Sequence, residues 1–348
     1  MVPAASVKRC VSRSVVATAG VVLSLLGAMA AHAGVLDAVR ARGHVECGVS
    51  DGVPGLSTVD ASGRWSGLDV EFCAALAAAT LGRADAVKYR PLSDADRFKA
   101  LARGDVDLLA RNTAWTLSRD TELGVRFVDV LLYDGQGFLV PRTHALASAL
   151  ELSGARICVQ SGTHAEAGLA GFFAARKMRY QPVVSERWSA LVQLYAGGQC
   201  SVLTGDLTVL ASERSRLANP TDHVLLPELI SKEPLAPAVG ADDSQWFAVV
   251  RWTRMALVAA EELGITSANA EALRASGSEA QRAFLGAGAP LGSAIGLAPD
   301  WAFQVVRQVG NYGEIFSRNL GSDSPLALER RLNDLWSRGG LMYAPPVR

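Results

Sequence analysis

Residues 156–184, RICVQSGTHAEAGLAGFFAARKMRYQPVV, hold a short apolar run, an alanine-rich stretch and a second apolar run. The pattern predicts a strand over 157–159, a helix over 165–177 and a strand over 181–184. A strand, a helix and a strand at this spacing form a right-handed crossover between parallel strands of one sheet. The segment therefore predicts an α/β fold.

The same alternation fills most of the chain in two series. The first predicts strands over 44–49, 87–92, 106–110 and 138–140 and helices over 68–81 and 97–102. The second adds to the opening segment helices over 188–196 and 207–217 and strands over 201–203 and 224–226. Two such series predict two α/β lobes. From about residue 244 the chain reads as mostly helical, with helices over 246–262, near 299–316 and over 326–336.

The amino terminus has the pattern of a secretory signal peptide. Lys8, Arg9 and Arg13 precede an uncharged run over 15–31, which ends in Ala31-His32-Ala33. The small residues Ala31 and Ala33 predict cleavage after Ala33 and export of the mature chain. An uncleaved membrane anchor is the alternative, since the run is near the minimum length for spanning a bilayer.

The charge balance excludes several classes of partner. The chain has 348 residues, with 34 Lys and Arg against 34 Asp and Glu and no long run of one sign. It lacks the strong basic field expected of a protein that binds nucleic acid or an anionic membrane. We expect no nucleic-acid partner.

Four cysteines remain beyond the signal peptide, which is the even number expected of disulfides in an oxidising compartment. Four cysteines allow three pairings, and sequence proximity favours Cys47 with Cys73 and Cys158 with Cys200. Buried thiols are the alternative. A zinc site is disfavoured because there is no CxxC and the five histidines are scattered.

Catalytic signatures such as HExxH, a Walker A loop or GxSxG do not occur in the sequence. Polar stretches instead follow predicted strands, where α/β sheets bind ligands; they cover residues 50–55, 111–120, 160–166 and 204–206. Thr163 and Glu166 have capping-box spacing, which predicts helix amides available to an anion. A cation with hydroxyls and amides suits a carboxylate, and Asp206 suits an ammonium. The combination predicts a site for a zwitterion.

Several segments of the sequence carry a resemblance to a known family; they are residues 66–73, 111–120, 133–138, 157–163, 231–235, 310–316 and 343–348. In these segments the sequence resembles the periplasmic amino-acid-binding proteins of ABC transporters, most closely the general L-amino-acid-binding branch. The resemblance covers essentially all of residues 34–348. It implies the two-lobe periplasmic binding protein fold with two hinge crossings, near 138–141 and 228–237, and a helical C-terminal extension. Lobe 1 would comprise residues 34–140 plus 235–348, and lobe 2 residues 141–234.

The resemblance also implies the roles of individual residues. Arg119 would pair with the ligand α-carboxylate, Asp206 would hold the α-ammonium, and further contacts would come from Thr113, Thr116, Gly162, Thr163, His164 and Asp51. His164 stands where the family often has threonine, and Asp51 lies one place after the position of the family's acidic residue.

The function expected from the resemblance is capture of L-amino acids and their delivery to the permease subunits of an ABC transporter, by a monomer with no cofactor and no metal. Two other classes remain open. One is a periplasmic enzyme on the same fold, similar to cyclohexadienyl dehydratase, and the other is an exported amino-acid sensor domain. Assaying the protein with prephenate or arogenate would discriminate the enzyme from the binding protein.

Overall fold

A computed structural model of the chain describes residues 1–3, 34–50, 52–288 and 290–347. Met1–Ala33 and Gly34–Arg348 are separate units. Residues 1–3 of the first unit have no regular secondary structure. The predicted signal peptide and its cleavage site lie outside the described residues, as does Asp51.

The strands alternate with helices along the second unit, as the sequence predicts. In chain order the strands are β1 (Val45–Val49), β2 (Thr58–Val59), β3 (Trp65–Ser66), β4 (Val87–Pro91), β5 (Leu108–Leu109), β6 (Val125–Phe127), β7 (Leu132–Asp134), β8 (Gln136–Pro141), β9 (Arg156–Gln160), β10 (Gln181–Ser185), β11 (Val202–Asp206), β12 (His223–Leu225), β13 (Glu233–Leu235) and β14 (Ala238–Gly240).

The helices fall between these strands and after β14. They are α1 (Val35–Arg42), α2 (Leu68–Leu81), α3 (Arg97–Ala102), α4 (Leu117–Glu122), α5 (His164–Ala175), α6 (Trp188–Ala196), α7 (Leu207–Arg216), α8 (Ser244–Glu262), α9 (Ala270–Ser276), α10 (Glu279–Phe284), α11 (Trp301–Val309) and α12 (Tyr312–Asn319). Among the described residues, no helix has the length and apolar character needed to cross a membrane.

Two five-stranded sheets form the framework. The first has the order β4-β1-β5-β14-β6 and the second the order β10-β9-β11-β8-β12. In each sheet the first three strands are parallel, and the fourth is antiparallel to both of its neighbours. The two sheets thus repeat one topology, which is the two-lobe α/β architecture predicted from the sequence.

The chain crosses between the sheets twice, at β7 and β13. These strands pair antiparallel, with Leu132 opposite Leu235 and Asp134 opposite Glu233. The expected first crossing at 138–141 differs from this arrangement, because those residues lie within β8 and pair with β11 and β12 in the second sheet. An apolar run at the end of a lobe has the same sequence pattern whether it crosses between the lobes or pairs with strands inside one sheet.

The C-terminal helices pack on the first sheet. Trp246 of α8 is buried and its Nε1 donates to the carbonyl of Asp107 at 2.8 Å, beside β5. Tyr312 of α12 is also buried and donates to the carbonyl of Leu131 at 2.9 Å. The helix predicted over 326–336 is wrong: apart from 3₁₀ turns at Arg331–Asn333 and at Trp336–Arg338 this segment is irregular. Ala327 and Arg331 have φ values of 45° and 48°, which an α-helix cannot accommodate.

Both predicted cysteine pairings are confirmed. Cys47 of β1 is bonded to Cys73 of α2, and Cys158 of β9 to Cys200, which lies two residues before β11. Each bridge is buried within its own lobe. The second bridge ties together the two strands whose ends carry the predicted site residues of that lobe.

Candidate functional site

A cleft of about 490 Å³ lies at the carboxyl ends of the parallel strands of both sheets. Polypeptide turns after β4, β5, β9 and β11 reach it, together with the crossing strand β13. This is the position where open α/β sheets bind ligands. Its polar lining residues are Asp94, Arg97, Asn112, Arg119, Gln160, Thr163, His164, Trp188, Thr204, Asp206 and Glu233.

Arg119 lies on α4 and reaches the cleft as predicted. The helix begins after Thr116, whose hydroxyl accepts a hydrogen bond from the Arg119 amide at 3.4 Å. The guanidinium Nη1 donates to the carbonyl of Ala114 at 2.8 Å, which orients the group. The other guanidinium N–H groups of Arg119 make no hydrogen bond with any described residue, so a planar donor fork is available to a carboxylate.

Arg119 belongs to a larger basic wall. Arg97 lies at the start of α3 and Arg111 just after β5, and both are buried, with 7% and 6% of their surface exposed. Both form ion pairs with Asp94, which follows β4; the Arg111 Nη1 to Asp94 Oδ1 distance is 2.8 Å. Burial, with repulsion from Arg111 and Arg119, lowers the pKa of Arg97 to about 10. Among the described first-lobe residues that line the cleft, Arg97 and Arg119 are cationic and Asp94 is anionic, so this wall carries a net positive charge.

Asp206 ends β11 on the facing lobe, and its carboxylate has no hydrogen-bond partner among the described residues. It precedes α7 without capping that helix. Burial raises its pKa to about 7, and repulsion from Asp134 and Glu233 adds to the shift. An uncompensated carboxylate in a desolvated place is unstable unless a cation joins it. An ammonium is the group that this position lacks.

Two further carboxyl groups surround Asp206. Asp134 is buried at the end of β7, where it accepts hydrogen bonds from the Thr208 side chain and from the Gly135 amide at 2.8 Å. Burial raises the pKa of Asp134 to about 6. Glu233 opens β13 and lines the cleft, with its Oε1 accepting from the Ser231 hydroxyl at 3.2 Å. These three carboxyl groups form an acidic wall, in which Asp206 belongs to the second lobe and Asp134 and Glu233 belong to the crossing strands β7 and β13.

The start of α5 supplies the rest of the second-lobe wall. His164 is its first residue and is exposed, and Thr163 precedes it in an extended conformation. The predicted capping box is not formed: the Thr163 hydroxyl donates to the carbonyl of Gln160 at 2.7 Å, and Glu166 accepts from the Gly162 amide at 2.9 Å. Gly162 has a φ of 70°, a left-handed conformation that favours glycine. The turn between Gln160 and Glu166 brings Thr163 and His164 to the cleft, whereas the Gly162 amide faces the Glu166 carboxylate.

Three predicted contacts do not line the cleft: Gly162, described above, and the threonines at 113 and 116. Thr113 is fully buried, and its hydroxyl donates to the carbonyl of Arg111 at 2.9 Å. Thr116 is exposed and caps α4. Both act on the loop that carries Arg119, so the structure places them behind or beside the cleft. No structural statement applies to Asp51, which lies outside the described residues.

Several cleft residues escaped the sequence reasoning: Asp94, Arg97, Trp188 and Glu233. Asp94 and Arg97 follow the end of β4, just as the predicted site stretches follow the ends of other strands. Their position after a strand could therefore have marked them as candidates. Trp188 faces Gly205, where an added Cβ would come within 2.8 Å of the indole ring, so this glycine permits the close approach. Asn112 has a φ of 35° and a buried Oδ1 that has no partner among the described residues. Only the fold reveals these neighbours.

No cluster of three or more His, Cys, Asp or Glu residues within the described ranges could hold a metal ion. The expectation of no cofactor stays a prediction.

The fold and this charged cleft are those of a solute-binding protein, and comparison with known proteins identifies its family. Residues 45–226 match the model of the bacterial extracellular solute-binding proteins, family 3. The chain belongs to this family.

Two curated relatives align over nearly their whole length. The chain is 49% identical to the general L-amino acid-binding periplasmic protein AapJ of Rhizobium johnstonii, over 95% of this chain and 98% of the relative. It is also 49% identical to the glutamate/glutamine/aspartate/asparagine-binding protein BztA of Rhodobacter capsulatus, over 94% and 97% of the two chains. Because such relatives are binding proteins, the chain's function is solute binding outside the cytoplasm rather than catalysis.

Two solved structures have the same fold as this chain. An ABC transporter periplasmic binding protein from Brucella ovis, with glutathione bound, is 48% identical, with a TM-score of 0.83 over 91% of this chain and all of the other. An ancestral cationic amino-acid solute-binding protein is 21% identical, with a TM-score of 0.54 over 65% of this chain and 95% of the other, and supports the fold alone.

Proposed function

We propose that the cleft binds L-amino acids through both of their backbone charges and that the protein delivers them to the permease of an ABC transporter. The observation that carries this proposal is that Arg119 lies on one wall and Asp206, which has no hydrogen-bond partner among the described residues, lies on the other. A zwitterion would satisfy both groups at once. The names of AapJ and BztA support the same ligand class.

The α-carboxylate would lie between Arg119 and the start of α5. The guanidinium offers parallel donors that match the two carboxylate oxygens, and the positive end of a helix dipole stabilises an anion. Thr163 and His164 line this end of the cleft and would provide further donors. We retain Gly162, Thr113, Thr116 and Asp51 as predicted contributors, the two threonines through the loop that carries Arg119.

The α-ammonium would lie against Asp206, with Glu233 as a second acceptor. Desolvation of the ligand on closure demands a partner for each charge, since a buried unpaired charge is strongly destabilising. The repulsion among Asp206, Glu233 and Asp134 would be relieved by a bound cation. Binding energy would thus come from a site that is electrostatically unfavourable when empty.

Closure would occur about the paired crossings β7 and β13. We propose the lobe boundaries there, at about residues 134 and 233, because the sheets separate at these strands. Ligand would favour the closed form by contacting both lobes in that form alone. Small-angle scattering should record a smaller radius of gyration with a bound amino acid, and an unchanged radius at saturation would contradict closure.

Delivery to the permease would involve a periplasmic, monomeric protein from which the signal peptide has been removed after Ala33. The family and its curated relatives support the transporter role. Intact-mass measurement of protein recovered from the periplasm would test the cleavage site, and light scattering would test the monomer.

A thermal-shift screen of ligand-free protein against the twenty amino acids tests the function. A ligand that binds the folded state at a hundred times its Kd adds about 2.7 kcal/mol to stability and raises the Tm. Butylamine and butyrate, which each carry one of the two backbone charges, are the controls and should have little effect. Absence of any shift with millimolar amino acids would overturn the proposal.

A further inference from the structure

The crossing strands β7 and β13 form a ribbon whose two edges have different neighbours. On the β13 edge, Leu235 pairs with Ala114, and both residues line the cleft. On the β7 edge, the side chain of Asn333 pairs with the backbone of Tyr133: the Tyr133 amide donates to Oδ1 at 2.7 Å, and Nδ2 donates to the Tyr133 carbonyl at 2.9 Å. The cleft and Asn333 therefore lie on opposite edges of the ribbon.

Asn333 belongs to a stretch of the first lobe that also contacts the second lobe. We call this stretch, residues 326–333, the rear segment. Arg214 of α7 donates from Nη2 to the carbonyl of Leu326, and Arg331 donates from Nη1 to the carbonyl of Pro227 at 3.0 Å. Both hydrogen bonds that join described residues of the two lobes away from the crossing strands thus lie behind the ribbon.

Helix α7 lies between the cleft and the rear segment. At its start Asp206 and Val209 line the cleft, whereas Leu207 and Thr208 line a small cavity that the rear segment closes. Further along, Ala211 is fully buried in the apolar core of the first lobe. The second lobe is therefore packed against the first on the side away from the cleft.

Movement about the ribbon would affect its two edges in opposite ways. Closing the cleft brings the lobes together at the β13 edge, so groups of the two lobes that meet behind the β7 edge must move apart. The hydrogen bonds that Arg214 and Arg331 make between the lobes would then lengthen or break. These contacts stabilise only the arrangement in which the cleft is open.

We propose that the rear segment is a latch that holds the cleft open and thereby sets the affinity for the ligand. A site that is complete only in the closed form has an apparent Kd equal to its intrinsic Kd divided by the closed fraction. By stabilising the open form, the latch raises the apparent Kd. This inference rests on the proposed amino-acid binding and closure, and it assigns a role to residues that never touch the ligand.

Removal of the two interlobe donors tests the inference. Arg214→Met and Arg331→Met keep most of the aliphatic length and remove the guanidinium. Each should lower the Kd of L-glutamine by about threefold, and the double variant by about tenfold, because the open form loses one or two hydrogen bonds. Isothermal titration measures the Kd, and small-angle scattering of the ligand-free double variant should give a radius of gyration closer to that of the ligand-bound form.

The matched controls are arginines whose ion pairs stay within one lobe. Arg216 pairs with Glu213 on α7, and Arg338 pairs with Asp334 in the first lobe. Arg216→Met and Arg338→Met should leave the Kd unchanged. Tighter binding is the informative sign, since a substitution that merely disturbs the fold would weaken binding.

A Kd of the double variant that is lowered less than about twofold, or raised, would overturn the inference, since the closed fraction would not depend on these contacts. If the double variant does not fold, Arg331→Met alone is held to the same limit. Wild-type protein that binds L-glutamine without a change in radius would leave no closure for a latch to oppose and would also overturn it. Failure of the wild type to bind any amino acid would instead overturn the proposed function.

Discussion

The two walls of the cleft differ in whether their charged groups have partners in the ligand-free protein. On the basic wall, Arg97 and Arg111 have a carboxylate partner in Asp94, and a backbone carbonyl orients Arg119. On the acidic wall, Asp206 has no hydrogen-bond partner among the described residues and is repelled by its neighbours. The basic wall is therefore preorganised for an anion, whereas the acidic wall is destabilised until a cation arrives. A ligand that carries both charges gains from each condition.

The largest expected effect is the loss of either anchor. Arg119→Ala and Asp206→Ala should each weaken amino-acid binding by roughly 3 kcal/mol or more, about a hundredfold, because a desolvated ligand charge loses its partner. Arg119→Lys should also be clearly impaired, since an ammonium cannot reproduce the planar fork. Isothermal titration measures each loss.

Glu122→Gln is the matched control for these variants. Glu122 lies on α4 with Arg119 but is exposed and does not line the cleft. Its affinity should equal that of wild type. Binding by Arg119→Ala within about threefold of wild type, far less than the loss expected for an unpaired charge, would remove Arg119 from the site.

The acidic wall should make binding depend on pH. Asp206 has a pKa of about 7 in the ligand-free protein, and the ammonium binds its ionised form. Affinity should therefore be highest above pH 7 and fall below it, by up to about tenfold per pH unit, as the proton competes with the ligand. Titrations between pH 5 and 8 measure the profile.

Asp206→Asn should flatten this profile at a lower affinity. An unchanged slope in the variant would show that another group, such as Asp134, dominates the pH dependence. A wild-type affinity independent of pH would contradict the destabilised state of the acidic wall.

Asp206→Asn should also stabilise the ligand-free protein. The pKa of Asp206 is raised from its ordinary 3.8 to about 7, so its protonated form favours folding and this stability is lost as pH rises through 7. The uncharged amide should raise the Tm at pH 8 by about 2 °C or more, with a smaller gain at pH 5. Differential scanning calorimetry at the two pH values would record this, and a lower Tm at pH 8 would contradict it.

The smallest effect is expected at His164. It is exposed at the start of α5, where the helix dipole and a side-chain donor add modestly to carboxylate binding. His164→Ala should weaken binding about threefold. A hundredfold loss by titration would move the main carboxylate anchor from Arg119 to α5.

The sequence correctly predicted one helix, two disulfides and the two charged residues that face each other across the cleft. The alanine-rich run gave α2 with its observed bounds, and both cysteine pairs followed from their spacing. Arg119 and Asp206 reach the cleft because both follow strands that end at one edge of their sheets. The bounds of α2 depend on a short stretch of chain, and the two bridges join residues 26 and 42 positions apart.

Long-range packing accounts for the failures. Glu233 belongs to a crossing strand whose place depends on β7, about a hundred residues earlier, and Trp188 meets the cleft only because Gly205 leaves room for it. The segment 326–336 has helical composition but wraps irregularly, with Leu326 and Leu335 buried in the core of the first lobe. Tertiary contacts override local propensity at these positions.

We expect each wall of the cleft to bind one charge of a zwitterion. A thermodynamic cycle that combines a change in the ligand with a substitution in the protein tests this most directly. The Kd of L-glutamine is compared with that of its α-amide, which lacks the carboxylate charge, in wild type, Arg119→Ala and Asp206→Asn. Amidation should cost about a hundredfold in wild type and in Asp206→Asn but only a few-fold in Arg119→Ala, where the partner is already gone. An equal cost of amidation in wild type and Arg119→Ala would show that the carboxylate is bound elsewhere and would contradict the account.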